Sequence, residues 1–75
     1  MSYPQHLTRI NTTANMRRFY RVSVQQGLFG DCCLVREWGR IGTRGQSKEE
    51  WFGSEDAAQD AGGKIAKMKQ RRGYI

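Results

Sequence analysis

The stretch that decides the fold of this chain is Trp38-Gly39-Arg40-Ile41-Gly42-Thr43-Arg44-Gly45-Gln46. One large aromatic residue, two arginines and three glycines lie within nine positions, and strand-like sequence both enters and leaves the stretch. Glycine reaches positive φ angles and leaves room for a second backbone to come close. The stretch is therefore predicted to be the end of one strand, a turn and the start of the next strand, with a cationic aromatic tip.

An alternating pattern upstream of this turn predicts a strand at Met16–Gln25. Tyr20, Val22 and Val24 alternate there with residues that are mostly polar. Side chains of period two point to opposite faces of a sheet, so these three residues are predicted to face the core. Phe19 is assigned with Arg21 to the opposite, partly solvated face.

A second strand is predicted at Asp31–Ile41, leading into the turn. The positions of its charged residues indicate which of its two faces is buried. Its even positions include Arg36 and Arg40, and the burial of unpaired charges is costly. We therefore predict that the odd positions face the core, which are Cys33, Val35, Glu37 and Ile41. This choice leaves an outward stripe of Arg36, Trp38 and Arg40, with Arg21 on the neighbouring strand beside it.

An aromatic side chain between arginines on an open sheet face suits stacking on a base or sugar together with phosphate contact. The alternative is that Trp38 packs flat on the sheet beneath the aliphatic parts of the arginines. In the first interpretation Trp38 stacks and the arginines neutralise phosphate. The candidate nucleic-acid contacts around the turn are Trp38, Gly39, Arg40, Arg36, Arg44, Lys48 and Arg21.

Large apolar side chains also occur in the loop before Asp31 and in the strand after the turn. In the loop Gln26–Gly30, Leu28 and Phe29 are expected to fold back over an edge of the core, and the alternative is exposure as a contact surface. In the strand that follows the turn, Phe52 is predicted to face the core and Trp51 to cover an edge.

A helix is predicted after this strand. Ser54 is a good N-cap, and carboxylates follow it in the first turn, where they favour the helix dipole. Gly62 and Gly63 indicate either very close packing or a bend, and Gly73 is a plausible C-cap before Tyr74 and Ile75 turn back onto the core. Apolar residues recur at helical spacing, namely Ala57, Ala58, Ala61, Ile65 and Met68.

The end of this helix is strongly basic. Its cations either complement the helix dipole on a solvated face or contact phosphate groups. Lys67 and Arg71 are taken as candidate contacts. The full set is Lys64, Lys67, Lys69, Arg71 and Arg72, with no acidic residue from Ala61 onward.

The composition restricts the classes of function. Seventy-five residues make one small domain, and a net charge of +6 favours a polyanionic partner, although charge also serves solubility. No segment approaches the roughly 20 apolar residues of a transmembrane helix. The N-terminal residues lack the apolar run of a signal peptide, so we expect a cytoplasmic protein.

Catalytic and metal sites are not expected from the sequence. The adjacent residues Cys32 and Cys33 point to opposite faces of a strand, which disfavours a disulfide between them. With His6 as the one histidine, a zinc site would be short of ligands. No set of residues resembles a catalytic triad, so we expect neither enzymatic activity nor a cofactor.

The residues around the turn resemble a known family. Trp38-Gly39-Arg40, followed by Ile41-Gly42-Thr43 and Gly45-Gln46, looks like the signature of the WGR domain. The upstream strand, the Phe52-Gly53-Ser54 entry to an alanine-bearing helix, and the basic tail are also similar to that family. The resemblance covers roughly Leu7 to Ile75.

This resemblance implies a fold and a function. WGR domains have an antiparallel sheet with one helix packed across it, and they occur in poly(ADP-ribose) polymerases, in bacterial regulators and as short standalone bacterial proteins. In the polymerases the domain binds DNA near a strand break, where the motif tryptophan packs against a terminal nucleotide and the motif arginine contributes. These roles are expected for Trp38 and Arg40. These 75 residues do not resemble the catalytic domain of those enzymes, so we expect no ADP-ribosyl transfer from them.

The sequence therefore leads to one main expectation and one alternative. We expect a flexible N-terminus at residues 1–5 and a single α+β domain at residues 6–75, with a small antiparallel sheet, one helix and a monomeric state. Its partner is expected to be nucleic acid, DNA more than RNA, bound at ends or breaks with little base readout. The alternative is a protein-interaction module that docks the same tip on an acidic partner.

Overall fold

The computed structural model describes residues 5–75, which form a four-stranded antiparallel sheet with one helix packed across it. The strands are β1 (Gln5–Asn11), β2 (Met16–Gln26), β3 (Cys32–Arg40) and β4 (Gln46–Phe52), and the helix is α1 (Glu55–Arg71). Each strand pairs with the next one along the chain, in the order β1-β2-β3-β4. The expected α+β fold is confirmed. The expected flexible N-terminus lies outside the described residues, except for Gln5, which begins β1.

One face of the sheet packs against α1 and holds the core. On this face Tyr20 lies directly opposite Leu7 on β1 and Trp38 on β3. Val22 is fully buried and Val24 packs against the core, so the predicted face of β2 is confirmed. The buried members of the core are Leu7, Tyr20, Val22, Leu34, Ala66 and Tyr74.

The predicted core face of β3 is wrong. The even positions face α1, because Leu34 is fully buried in the core and Trp38 packs against it. Cys33 is buried, but on the helix-free face, where it lies opposite Gln25 and Trp51. Ile41 follows the strand and is 41% exposed.

Both arginines of this face are accommodated, although the Nε atom of Arg36 is buried without a hydrogen-bond partner among the described residues. Arg36 lies on the helix side, where it forms an ion pair with Glu50 of β4. Arg40 is exposed at the end of β3. The helix face of β3 can therefore contain two arginines, because one of them is paired and the other remains in solvent.

The helix-free face buries one aromatic side chain that the sequence assigned to a partly solvated position. Phe19 is 8% exposed. The ring of His6 meets it edge-on at 6.1 Å, and the guanidinium of Arg21 lies 5.9 Å from its centroid. The β3–β4 turn approaches the same ring at Gly45. Folding of this turn toward the helix-free face explains the burial.

The β3–β4 turn returns so close to the end of β3 that only glycine fits. A Cβ atom at Gly45 would lie 2.1 Å from the carbonyl oxygen of Trp38, and a Cβ at Gly39 would lie 2.6 Å from the Cα of Gly45. Gly45 also has a φ of +68°, in the left-handed region. The predicted turn is confirmed, and its glycines set the distance between the motif backbone and the returning chain.

Helix α1 begins as the sequence predicts. The backbone N–H of Ala57 donates to the Ser54 hydroxyl at 3.2 Å, and Glu55 and Asp56 lie in the first turn. The helix continues without interruption through Gly62, which is buried. Its buried stripe is Ala58, Gly62 and Ala66, whereas the predicted core residues Ala57 and Met68 are exposed.

The chain returns to the sheet after α1. Arg72 caps the helix, and Gly73 follows with a φ of +103°. Tyr74 is buried in the core, and Ile75 exchanges two backbone hydrogen bonds with Thr8 on β1, at 2.8 and 2.9 Å. The predicted return onto the core is confirmed for Tyr74, whereas Ile75 is 88% exposed and only its backbone covers part of the outer edge of β1.

The β2–β3 loop differs from the prediction. Leu28 and Phe29 are 93% and 92% exposed. The N–H of Gly27 donates to the carbonyl of Asp31 at 2.8 Å, which closes the loop before its tip can reach either face of the sheet. The alternative of an exposed apolar loop is therefore the correct one. On β4, Phe52 packs against the core as predicted, and Trp51 is 59% exposed.

The turn offers a matched pair of glycine substitutions. Gly42→Ala places a Cβ in open space at φ +93°, so we expect a loss of about 1 kcal/mol in the free energy of unfolding from backbone strain alone. Gly45→Ala adds the collision with the Trp38 carbonyl, so its loss should exceed that of Gly42→Ala by about 1–3 kcal/mol. Urea unfolding of the two variants measures this difference, and equal losses would contradict the close approach.

Candidate nucleic-acid interface

One end of the helix-packed face combines stacked aromatic rings with cations. Trp38 stacks on Tyr20 at a centroid distance of 6.0 Å and an interplanar angle of 19°. The ammonium group of Lys69 lies 4.6 Å from the Tyr20 centroid and 5.7 Å from that of Tyr74. We call this surface the cationic end, and it comprises Arg9, Arg18, Tyr20, Trp38, Arg40, Lys69, Arg72 and Tyr74.

Three arginines of the cationic end lie directly opposite one another on adjacent strands. Arg9 on β1 pairs in register with Arg18 on β2, and Arg18 pairs with Arg40 on β3. Directly opposed like charges destabilise a sheet. No ion pair within residues 5–75 involves any of the three. We call these residues the arginine row, and its repulsion would be relieved by a bound polyanion.

Lys69 lies above the tyrosines in a surrounding of positive charge. Burial lowers the pKa of Lys69 below its usual value, and the neighbouring charges of Arg72, Arg36 and Arg18 lower it further. Each of these effects penalises the protonated form. An anion bound beside Lys69 would have the opposite effect, so this part of the surface is suited to a negatively charged ligand.

Trp38 borders two open clefts. One, of about 450 Å³, lies between β2, β3 and the C-terminal part of the chain and is bordered by Arg18, Arg40 and Lys69. The other, of about 360 Å³, is bordered by Arg36, Lys48 and Lys69. The indole is thus anchored on Tyr20 while space beside it remains open for a ligand group.

The structure brings together only part of the predicted set of contacts. Trp38, Gly39 and Arg40 border the first cleft, and Arg36 and Lys48 border the second, where Arg36 is already paired with Glu50. This group lies on the helix-packed face. Arg36, Trp38 and Arg40 therefore do lie together as predicted, but on the helix-packed face of the sheet and not on the opposite one.

The remaining predicted contacts lie elsewhere. Arg21 is on the helix-free face, where its guanidinium is 3.7 Å from the carboxylate of Glu37, so its predicted position beside Trp38 is wrong. Arg44 is exposed in the β3–β4 turn. Lys67 and Arg71 are exposed on α1, each two residues from Lys69, which places them roughly 200° around the helix from it.

Arg9 and Arg18 are not among the residues predicted from the sequence, and Lys69 and Arg72 appear there only as members of the basic helix end. Arg18 has the same strand parity as Tyr20, so the correct phase of β2 already placed it on the helix side. Lys69 lies three residues after the buried Ala66, on the buried stripe of α1. Arg9 and Arg72 join the surface through register and chain return, which the sequence does not reveal.

A larger cleft of about 600 Å³ lies on the helix-free face. It is bordered by Phe19, Arg21, Glu37 and Arg44 together with residues of the turn. The ion pair between Arg21 and Glu37 balances part of its charge. The smaller clefts beside Trp38 are bordered by cations with fewer acidic neighbours, so they are the stronger candidates for an anionic ligand.

Two further properties of residues 5–75 concern other kinds of site. In this part of the chain, no three histidine, cysteine, aspartate or glutamate side chains are grouped to hold a metal ion. The helix found among the same residues, α1, is too short and too polar to cross a membrane. Burial raises the pKa of both Cys32 and Cys33, which disfavours their reactive thiolate forms.

The fold and the cationic end define a small α+β domain with an aromatic and arginine-rich surface. Comparison with protein families matches residues 3–75 to the WGR domain, so the chain belongs to the WGR domain family. It is 42% identical over 72 residues to an uncharacterized protein, y4dW, of Sinorhizobium fredii strain NBRC 101917 / NGR234. That match covers 96% of this chain and 35% of the relative, so the chain spans about a third of the relative's length. No solved structure matches the chain.

The arginine row predicts an unusual effect on stability. Arg18→Gln removes the central charge of the row, so we expect the free energy of unfolding to rise by about 0.2–1 kcal/mol at low salt. The gain should disappear in 1 M NaCl, where the repulsion is screened. Urea unfolding at both salt concentrations measures it. Arg21→Gln is the control, because Arg21 is paired and should give no gain; destabilisation by Arg18→Gln at low salt would contradict the repulsion.

The lowered pKa of Lys69 predicts a pH dependence. Between the pKa in the folded state and the usual value of 10.5, the unfolded chain binds the additional proton, so stability should rise with pH across that window. Lys69→Arg keeps the charge but does not titrate there, so the rise should be smaller in this variant. Urea unfolding at several pH values below 10.5 compares the two proteins, and identical pH profiles would exclude the effect.

Proposed function

We propose that this domain binds nucleic acid through the cationic end, with DNA preferred over RNA and strand ends or breaks as the target. The observation that supports this most is the arginine row, with Arg9, Arg18 and Arg40 opposed across three strands and unpaired within residues 5–75. Repulsion among these three arginines in the free protein would be relieved when a negatively charged ligand binds between them. A polyanion is the partner that such a surface fits.

The dimensions of the row suit a phosphate backbone. Neighbouring strands lie about 4.8 Å apart, so three opposed residues cover about 10 Å. Charges recur every ~3.4 Å along one strand of duplex DNA, so the row can contact more than one phosphate. Lys69 and Arg72 extend the positive surface toward the C-terminal end of α1.

Trp38 provides a contact of a different kind. Its stack on Tyr20 holds the indole in place, and the clefts on either side leave room for a base or sugar. Stacking of a base on an aromatic side chain contributes about 1–3 kcal/mol and depends little on sequence. A terminal nucleotide is suited to this contact because one side of its base is free.

The contacts proposed here involve little recognition of base edges. Because the arginine row lies on a sheet face, its guanidinium groups contact the backbone of a nucleic acid and do not reach the base edges on the floor of a groove. Reading the major groove requires an inserted helix or strand pair. The preference for DNA and for ends rests on membership of the WGR family, which includes DNA-binding modules of poly(ADP-ribose) polymerases.

An acidic protein surface is the alternative partner for the same end. It would neutralise the arginine row equally well but offers no base to stack on Trp38. Loss of the indole should therefore weaken nucleic-acid binding strongly, whereas an acidic protein would mainly respond to loss of the arginines. This difference makes Trp38 the residue that separates the two partners.

Fluorescence anisotropy with blunt, nicked and single-stranded DNA, and with matching RNA, tests the proposal across a salt series. We expect Trp38→Leu, which keeps an apolar side chain over Tyr20, to lower affinity by about 1–3 kcal/mol. Arg40→Gln should also weaken binding and reduce the slope of log affinity against log salt by about one unit on duplex DNA. Trp51→Leu, at the other end of the domain, is the matched control and should leave affinity unchanged.

Two results would overturn the proposal. One is the absence of binding to every nucleic acid at low salt. The other is unchanged affinity in the double variant Trp38→Leu with Arg40→Gln, provided that urea unfolding shows both proteins to be folded.

A further inference from the structure

The end of the domain opposite the cationic end has the reverse charge. Six of the seven acidic residues, and none of the thirteen lysines and arginines, lie in residues 22–35 and 49–63. These two segments meet at one end of the sheet, where Cys32 pairs with Phe52 and Cys33 with Trp51. The arginine row lies at the other end of β2 and β3, in a molecule 47 Å long.

An apolar surface projects from this end. Leu28 and Phe29 are almost fully exposed at the tip of the β2–β3 loop. Trp51 is 59% exposed and packs close to the base of the loop, because a Cβ atom at Gly27 would lie 3.0 Å from its ring. Large exposed apolar side chains of this kind mark interaction surfaces in soluble domains.

Carboxylates without an ion-pair partner lie near the base of the loop that carries the apolar tip. Asp31 and Glu55 border one small cleft with Gly27 and Gly30 at the base of the loop. Glu49 is near enough to Cys33 for its charge to raise the pKa of that thiol, after the larger effect of burial. Within residues 5–75, no ion pair involves Asp31, Glu49, Glu55 or Asp56. We call this surface the acidic end, and it comprises Leu28, Phe29, Asp31, Glu49, Trp51, Glu55 and Asp56.

One oxygen at the acidic end has an unmet hydrogen-bonding requirement. The Oδ1 atom of Asp31 is buried and has no hydrogen-bond partner among the described residues. A buried acceptor in this state is unfavourable. Because this oxygen is enclosed against Gly27 at the base of the loop, it is not a surface contact for a partner.

The charges of this end restrict its partner. Nucleic acid and anionic lipid are disfavoured, because both would bring negative charge toward unpaired carboxylates. A symmetric contact between two copies through this end is disfavoured for the same reason, since a twofold interface sets each patch against itself. A protein surface with basic side chains around an apolar one has the complementary charge and can donate hydrogen bonds.

We propose that the acidic end is a docking surface for a basic segment of another protein, which places an apolar side chain against Leu28 and Phe29 and lysine or arginine beside the carboxylates. The domain then has two interaction surfaces at opposite ends of one sheet. The cationic end binds a polyanion, and the acidic end connects that complex to a basic protein. Charge keeps the two partners apart, because each end repels the ligand of the other.

A random 12-residue peptide library displayed on phage tests this without assuming a sequence. Selection against the wild-type domain, after depletion on the double variant Leu28→Ser with Phe29→Ser, recovers peptides that need the tip. We expect the recovered peptides to combine several lysines or arginines with one or more large apolar residues. Both substituted side chains are exposed, so the variant should remain folded, and urea unfolding checks this.

Synthetic copies of the recovered peptides then give affinities by fluorescence anisotropy. Binding should fall at least tenfold in the single variant Phe29→Ser and at least threefold in Glu49→Gln with Glu55→Gln. Arg40→Gln is the matched control at the cationic end and should bind the peptides normally. The tip variants should bind DNA as the wild type does, so failure of the peptide result and failure of DNA binding are separate outcomes.

Several outcomes would overturn the inference. These are the absence of tip-dependent peptides, tip-dependent peptides that are acidic or uncharged, and amide resonances of residues 27–31 that shift on addition of duplex DNA in a nuclear magnetic resonance titration. Sedimentation gives one more such outcome. If the wild type self-associates and the tip variant does not, the partner at the acidic end is a second copy of this chain and not another protein.

Discussion

The stack of Trp38 on Tyr20 connects the core of this domain to its candidate binding surface. Tyr20 belongs to the buried cluster, and Trp38 packs against that cluster while bordering two open clefts. The position of the indole therefore depends on the same contacts that hold the sheet to α1. A rigid aromatic side chain loses little conformational freedom on binding, so anchoring it in the core prepares the surface for a ligand.

The glycines of the motif serve this arrangement. Because Gly45 returns within contact of the Trp38 carbonyl, the backbone beside the indole is fixed by the turn as well as by the sheet. The turn folds toward Phe19 on the helix-free face, which leaves the opposite face of Trp38 and Arg40 open. The motif can thus be understood physically: an aromatic ring, a glycine that permits close approach, and an arginine at the exposed end of the strand.

Local patterns predicted most of the fold but not the side of the sheet on which the motif lies. The alternation in β2, the Ser54 cap and the glycine turn depend on neighbouring residues, which the sequence displays directly. The face of β3 depends on Glu50, a residue of another strand that pairs with Arg36, and on where α1 ends. The penalty for burying an unpaired arginine does not decide the phase of β3, because Glu50 pairs with Arg36 on the helix side. Trp38 and Arg40 remained candidates because both faces of a strand end close to the same turn.

The separation of charge along the sheet gives the two ends different chemistry. At one end the arginine row and Lys69 maintain a positive field that is unfavourable to the free protein, and at the other the carboxylates near Asp31 have no ion-pair partner within residues 5–75. A net charge of +6 conceals this division, because it reports only the excess. A molecule with such a distribution is oriented as it approaches a polyanion, since the cationic end is attracted while the acidic end is repelled. In the proposed complex, this orientation directs Leu28 and Phe29 away from the nucleic acid, where the proposed basic partner can reach them.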